Sequence, residues 1–340
     1  MNVTEHQRPG VYSVYDASMA VSGKSGSRGV GLAAVSAKGT AGKLYSIYTY
    51  EQAVNEFTEE ETITRLIGLA LRNGASKVCA VPATDAEGYE AAFALLEQEE
   101  GLAAVVCDST DADVHKTLLD SVVQASGNRR ERLAVMGAAG GETAAELTAR
   151  AAALNSERVV LAAPGGVEAA AAVAGAIAGE SDPAMPLGGA ELKGITGADQ
   201  SWDDNEIDAL VLGGVTPLET SGGVVSVVRG VTTRTKTGAA EDATWRELTT
   251  IRIVDDVIPG LRDALRAKFS RAKNTEQGRG AIRSQVIVEL EKKKNDEIIT
   301  GYEGVTVSAL ADQPTVCLVE FSFTVAHGLD QIWLSAHITV

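Results

Sequence analysis

The chain reads as an α/β protein: an open, mostly parallel sheet with helices on both faces, followed by an α+β region and flanked by strand-like arms at both ends. Three observations point there. Between residues 30 and 180, short apolar runs alternate with longer helical patterns, as in a parallel sheet covered by crossover helices. Beyond residue 205 the texture changes to a strand-rich stretch and two long amphipathic helices. At each terminus an alternating, period-two pattern stands apart from the body.

Composition bounds the options. The 340 residues are 45% hydrophobic and 22% charged, enough for two domains or one large one. A net charge of −16 argues against nucleic acid as the main partner, because neutralising phosphates needs a basic surface. The start, MNVTEHQRPG, lacks a signal-peptide pattern and no run of 18 apolar residues occurs, so folding in the cytoplasm without membrane insertion is expected. Cys79, Cys107 and Cys317 are far apart, and the first two sit in apolar runs, so buried free thiols are expected rather than metal ligands or a disulfide.

Each element has its own signal. GVGLAAV at 29–35 and LYSIYT at 44–49 are strands. Thr58-Glu59-Glu60-Glu61 reads as a capping box opening a helix whose stripe is Ile63, Leu66, Ile67 and Leu71 and whose stop is Asn73-Gly74. The unit repeats: strand 77–81 with a helix opened by Thr84-x-x-Glu87, strand 103–107 with one opened near Thr110-x-x-Asp113, then strands 133–136 and 159–162, each followed by a Gly-Gly turn and an alanine-rich helix. Gly140-Gly141 and Gly165-Gly166 are 25 residues apart, one strand-helix period.

Pro183, Pro186, Gly188-Gly189, Gly194 and Gly197 break the pattern, which places an α/β domain at 30–190 and an α+β domain at 191–327. The latter holds a short helix at 206–213, one or two strands within 222–235, and two long helices. The first helix carries Val257, Ile258, Leu261, Leu265 and Phe269 and should start near Asp256, since Pro259 is tolerated only in a first turn. The second carries Ile282, Val286 and Leu290. Cys317, Val319, Phe321, Phe323 and Val325 then alternate, and after a turn at 327–330 the alternation resumes through Ile332, Leu334, Ala336, Ile338 and Val340. Residues 328–340 thus form a C-terminal arm, and residues 1–29 an N-terminal arm with strand Val11, Tyr12, Val14, Tyr15 and a glycine-rich linker.

The linker contains Gly23-Lys24-Ser25, the end of a phosphate-binding loop. The loop's first glycine is replaced by Ser18, and a strand pattern follows where a helix must stand. A flexible linker hinged at Gly23, Gly26 and Gly29 is the better reading. The glycines of 137–141 and 164–166 lie at strand ends but lack G-x-G-x-x-G spacing, as steric turns do. No G-x-S-x-G elbow occurs, His6, His115, His327 and His337 are scattered, and the acidic pairs suit helix N-termini. No catalytic, cofactor or metal residue is assigned, although a nucleotide-binding protein or enzyme remains the alternative. One charge feature stands out: residues 251–294 hold eleven Lys and Arg against six Asp and Glu, net +5, so the remainder carries −21. Arg279 and Arg283 share a helical face. Such a block is either a solvated face or a surface for an acidic partner.

Several segments together carry a family likeness: Arg8-Pro9-Gly10-Val11-Tyr12, Asn155-Ser156-Glu157-Arg158-Val159, Leu192-Lys193-Gly194-Ile195-Thr196-Gly197, VVRGVTTRT at 227–235, ELTTIRIVDDV at 247–257 and NTEQGRGAIRSQV at 274–286. In this order they resemble the contractile tail sheath family of bacteriophages and phage-like particles. The resemblance implies a structural protein, not an enzyme and without cofactor. It implies six-subunit rings stacked helically around an inner tube, with terminal arms adding strands to neighbouring subunits. Contraction would drive the tube through a target envelope without nucleotide hydrolysis. The implied partners are other copies, the tube protein, and baseplate and terminator components. A compact sheath, assembled in the bacterial host cytoplasm and then part of a phage tail or released particle, is expected. Lys268, Arg271, Lys273, Arg279 and Arg283 would then face the tube.

Overall fold

A computed structural model describes residues 28–85, 87–196, 200–310 and 312–328. The arm residues Val11, Tyr12, Val14, Tyr15, Ile332, Leu334, Ile338 and Val340, with Gly23 and Gly26, lie outside them. The described residues form two compact units, one from 28–180, 185–249 and 327–328, the other from 181–184 and 250–326.

The larger unit opens with β1 (Gly29–Val35), β2 (Tyr45–Ile47), α1 (Tyr50–Phe57), α2 (Thr62–Arg72) and β3 (Val78–Ala83). It continues with α3 (Gly88–Gln98), β4 (Leu102–Cys107), α4 (Ala112–Gly127), β5 (Leu133–Gly137), α5 (Ala144–Leu154), β6 (Val159–Ala163) and α6 (Gly166–Gly179). Then follow β7 (Glu191–Leu192), α7 (Asp204–Leu212), β8 (Thr216–Ser221), β9 (Val224–Val227), β10 (Lys236–Thr237) and β11 (Ala240–Glu241). The main sheet has the order β2-β3-β1-β4-β5-β6-β8-β9-β7. Its interior pairs from β3 to β8 are parallel, whereas β2, β9 and β7 add antiparallel edges. The buried strands lack alternation because helices cover both faces. Phe93, Leu96, Val114, Leu118, Leu147 and Leu210 of α3, α4, α5 and α7 pack on one face. On the other, α2 and α6 approach so closely that a Cβ on Gly175 would lie 2.4 Å from the Ala70 carbonyl oxygen.

Four expectations need correction. The Thr58 capping box does not exist: Thr58 ends α1, at φ 63°, and accepts from Thr64 Oγ1 at its carbonyl, so α2 starts at Thr62. Gly29 is a buried residue of β1 whose N–H donates to Gly101, not a linker hinge. The domain change expected at residue 190 falls inside the sheet unit, because β8 pairs with β6 and extends the same sheet. The first long helix starts at Leu248 with Pro259 inside it, not near Asp256. Burial of every residue from 248 to 257 outweighs the roughly 3 kcal/mol that an interior proline costs. Two helix openings also differ: α3 starts at Gly88 without a side-chain cap, after a turn in which Asp85 accepts from the N–H groups of Glu87 and Gly88, and α4 is capped one residue on, by Asp111, which accepts from those of Asp113 and Val114.

The second unit holds α8 (Leu248–Phe269, from Thr250 on), α9 (Glu276–Asn295), β12 (Ile299–Leu310) and β13 (Gln313–Val325). Ile253, Val257 and Leu261 of α8 and Val286 and Leu290 of α9 form its core with Ile298, Ile299 and Val305. Among the described residues, no helix is long and apolar enough to cross a membrane.

Candidate interaction site

The first place to search is the C-terminal edge of the parallel sheet, where β1 has β3 on one side and β4 on the other, because open α/β sheets hold ligands at such switch points. Here the crevice is closed by side chains. Tyr89 donates to one oxygen of Asp108, and the Val35 N–H donates to the other at 3.0 Å. Burial raises the pKa of both groups, and the shared bond further raises that of Tyr89 while lowering that of Asp108. The glycine turns are likewise filled: a Cβ on Gly137 would lie 2.3 Å from the Gly166 carbonyl oxygen. Beside them Glu142 receives two bonds from Arg150, at 3.1 and 2.7 Å, and one from the Ala139 N–H. Cys79 and Cys107 are buried free thiols, with burial pushing Cys107 up to about 12, far from a reactive thiolate.

Two of the family-like segments meet at the other end of the sheet. Asn155, left-handed at φ 34°, accepts from the N–H groups of Thr235 and Lys236 and donates to the Lys236 carbonyl. Thr233 Oγ1 bonds Ser156 in both directions at 3.1 Å, and Arg234 pairs with Glu157 at 2.7 Å. Thr232 donates to the Trp245 carbonyl at 2.6 Å and Thr216 to that of Val231. These contacts clamp the strap of residues 228–247 onto the start of β6, which makes them structural.

The second unit supplies a surface instead of a pocket. Arg271 and Lys273 are exposed between α8 and α9, and exposed Lys268 bonds Gln285 at 2.5 Å. Arg279 and Arg283 do share one face, but both are engaged within the unit: Arg279 donates to Asn274 at 3.0 Å and Arg283 to the Val305 carbonyl at 2.8 Å. The five basic residues thus lie on α8, α9 and the turn between them; Lys268, Arg271, Lys273 and Arg283 are exposed and Arg279 is half-buried. Next to them β12 and β13 form a separate antiparallel sheet of two strands. Its inner face carries Tyr302, Val305, Val319, Phe321, Phe323 and Val325, of which only Val305 is fully buried. β12 was not expected from the sequence. Gly301 and Gly304 interrupt its alternation, and three register shifts break the ladder. The signal that finds it is pairing: β13 alternates too cleanly to stand alone.

Comparison with known proteins agrees with this architecture. A model of the phage tail sheath protein central domain matches residues 83–233, and one of the phage tail sheath C-terminal domain matches residues 240–339. The chain is similar to a tail sheath protein of Bacillus phage SP01, 26% identical over 259 residues, covering 72% of this chain and 44% of that relative. It thus spans less than half the length of the relative. Its fold resembles that of the sheath tail protein of Desulfitobacterium hafniense, with a TM-score of 0.69 at 14% identity, covering 93% of this chain and 100% of the other. It also resembles a chain of the anti-feeding prophage helical sheath in the contracted state, with a TM-score of 0.71 at 15% identity, covering 98% and 99%. With its central and C-terminal portions matched in order over most of its length, the chain belongs to the phage tail sheath family.

Proposed function

We propose that this chain is the subunit of a contractile sheath: copies stack helically as six-membered rings around an inner tube, exchange terminal strands, and contract to drive the tube through a target envelope. The observation that carries the reading is the β12–β13 hairpin. Among the described residues its strands pair only with each other, leaving a row of backbone donors and acceptors along each outer edge. The period-two arms are segments of this chain that fit such edges. Ordering about ten arm residues costs on the order of 10 to 20 kcal/mol. Ladder bonds and cover over Phe321 and Phe323 from a neighbouring copy offset that cost.

In this reading a metastable extended lattice relaxes to a lower-energy one, so no nucleotide is hydrolysed and Lys24 is a linker charge. Lys268, Arg271, Lys273, Arg279 and Arg283 face the tube in the extended state, and sheath ends meet baseplate and terminator proteins. The likeness to a helical sheath in the contracted state supports the contractile reading. Negative-stain electron microscopy of the full chain tests it: hollow striated cylinders are expected, and deleting residues 1–20 or 328–340 should abolish them while the body remains folded. Normal cylinders from both deletions would refute strand exchange. In sheath-tube particles, Arg271→Glu with Lys273→Glu should release tube at lower salt; unchanged retention would remove these residues from the tube face.

A further inference from the structure

We propose that the outer edge of β2 is a docking site for residues 11–15 of the same chain. Among the described residues β2 ends the main sheet and pairs only with β3, which leaves its outer backbone groups without a ladder partner there. The strand and its flanks read Leu44-Tyr45-Ser46-Ile47-Tyr48, and the N-terminal arm reads Val11-Tyr12-Ser13-Val14-Tyr15. Three of the five positions are identical, and the other two exchange one aliphatic residue for another. The arm thus carries a second copy of the edge strand's own pattern.

That pattern complements the edge on both faces. Tyr45 and Ile47 are buried, with the Tyr45 ring edge-on to Phe57 of α1 at 5.0 Å, whereas Ser46 is exposed and Tyr48 is 57% exposed. With the arm antiparallel and Ser13 opposite Ser46, Tyr12 meets Ile47 and Val14 meets Tyr45 on the buried side. On the other side Val11 meets Tyr48 and Tyr15 meets Leu44. Each is an aromatic residue opposite an aliphatic one, the kind of cross-strand pair that stabilises a ladder. The tether reaches. Tyr45 is in register with Ala80 and, through it, with Leu32 of β1. Tyr15 opposite Leu44 would then stand three strand spacings across the sheet and five residues along it from Arg28, about 22 Å in all. Residues 16–27 join the two, and half of these twelve are Gly or Ser. A linker of that composition and length has a root-mean-square span of about 17 to 21 Å. Such a match of length to distance raises the local concentration of the arm to the order of millimolar, enough for a short edge to hold it. Docked, the arm covers an edge open to other chains and is withheld from the hairpins of neighbouring copies until they outcompete β2. This release rests on the strand-exchange reading above, whereas the docking itself does not.

Hydrogen exchange and disulfide trapping on the dilute, purified full chain test the docking. Deleting residues 1–20 should speed exchange of at least one amide within 44–48 by about 10-fold or more, with Val78–Ala83 unchanged. Tyr12→Asp with Val14→Asp should reproduce that effect by placing charge on the apolar side. Ser13→Cys with Ser46→Cys is made in a Cys79→Ala background, because Cys79 lies opposite Ser46 on β3. With oxidised glutathione it should form a disulfide within one chain about 10-fold faster or more than Ser13→Cys with Ser221→Cys, the exposed end of β8 six strands away. Unchanged exchange in both arm variants, or no preference for position 46, overturns the docking. A disulfide found only between two chains overturns docking within one chain in favour of a neighbour's arm. In assembly trials the 13–46 disulfide should block sheath formation until it is reduced; normal assembly of the locked chain overturns the release. If the wild type forms no sheath, the strand-exchange reading fails, but exchange and trapping still decide the docking.

Discussion

Replacing Arg132 with Met should destabilise the sheet unit by up to about 3 kcal/mol, although the residue sits in a charged stretch, Arg129-Arg130-Glu131-Arg132, with the composition of an exposed loop. Its guanidinium is among the most fully buried large side chains and donates to the carbonyls of Leu96 at 2.6 Å, Glu99 at 2.5 Å and Arg130 at 2.9 Å. The first two belong to the end of α3, where a cation is favoured; the Leu96 carbonyl also accepts the Glu99 N–H at 3.1 Å. Burial lowers the Arg132 pKa to about 10, so it remains charged at neutral pH. Met preserves length but removes every donor. The carbonyls of Glu99 and Arg130, left without this donor, cost roughly 1 to 3 kcal/mol each, whereas that of Leu96 keeps the Glu99 N–H. Relief of the guanidinium's own desolvation, roughly 3 kcal/mol from the pKa shift, works against that loss. The remainder, up to about 3 kcal/mol, corresponds to a fall of up to about 12 °C in melting temperature at 2 to 4 °C per kcal/mol. Calorimetry and urea titration of the full chain measure it, with Arg132→Lys falling in between because an ammonium lacks the planar fork. A Met variant more stable than the wild type by over about 1 kcal/mol would refute the assignment of Arg132 as the clamp on α3.

His115 should make stability depend on pH. Its Nε2 lies 2.9 Å from the Ser109 carbonyl oxygen, while Nδ1 has no hydrogen-bond partner among the described residues. Burial, and then the charge of Arg150, hold its pKa below the usual 6.5 against the opposing bond to Ser109. Below about pH 6.5 the unfolded chain binds a proton that the fold refuses, so the contribution is complete above that pH and declines towards the folded pKa. The urea midpoint of the wild type should therefore fall between pH 7.5 and 5.5, and His115→Gln should remove part of that fall; identical pH slopes would exclude His115 as its source. Asn155→Ala should cost about 2 to 3 kcal/mol, through lost strap bonds and a left-handed backbone that alanine disfavours. Trypsin should then cut faster at Arg234 and Lys236, and an unchanged cleavage rate would show that the strap is held elsewhere.

Most of the sheet was legible because parallel strands buried on both faces are short apolar runs, and the crossover helices carry caps and stripes. What stayed hidden depended on tertiary contacts. Helix α1 has only eight residues, of which Ala53 and Phe57 are buried, so its pattern is too short to show a period. Pro259 suggested a helix start because propensity was weighed without the burial that overrides it. The cost of β8 joining the main sheet is invisible locally, since its pairing with β6 spans more than fifty residues and follows a loop rich in Pro and Gly. At the candidate surface, the basic residues were readable as a block. That Arg279 and Arg283 spend hydrogen bonds on their own unit was not, because Asn274 and Val305 approach them only in the folded chain.

The irregularity that concealed β12 also bears on how the proposed strand exchange avoids indiscriminate pairing. Strands of 12 and 13 residues with open edges would template aggregation if flat and regular. Here the ladder shifts register between Ile299 and Gly301, between Glu303 and Thr306, and between Ala309 and Leu310. Each shift twists the ribbon and leaves only short stretches of regular edge between interruptions. Exposed Glu303 and Glu320 add charge to the ribbon. A segment able to pair must therefore match both length and register, and its apolar residues must meet the partly open face bearing Phe321 and Phe323. In the proposed strand exchange the terminal arms would supply such a segment through their period-two patterns, which an arbitrary unfolded chain lacks. Gly301 and Gly304 thus weaken the local strand signal and the generic template by the same means.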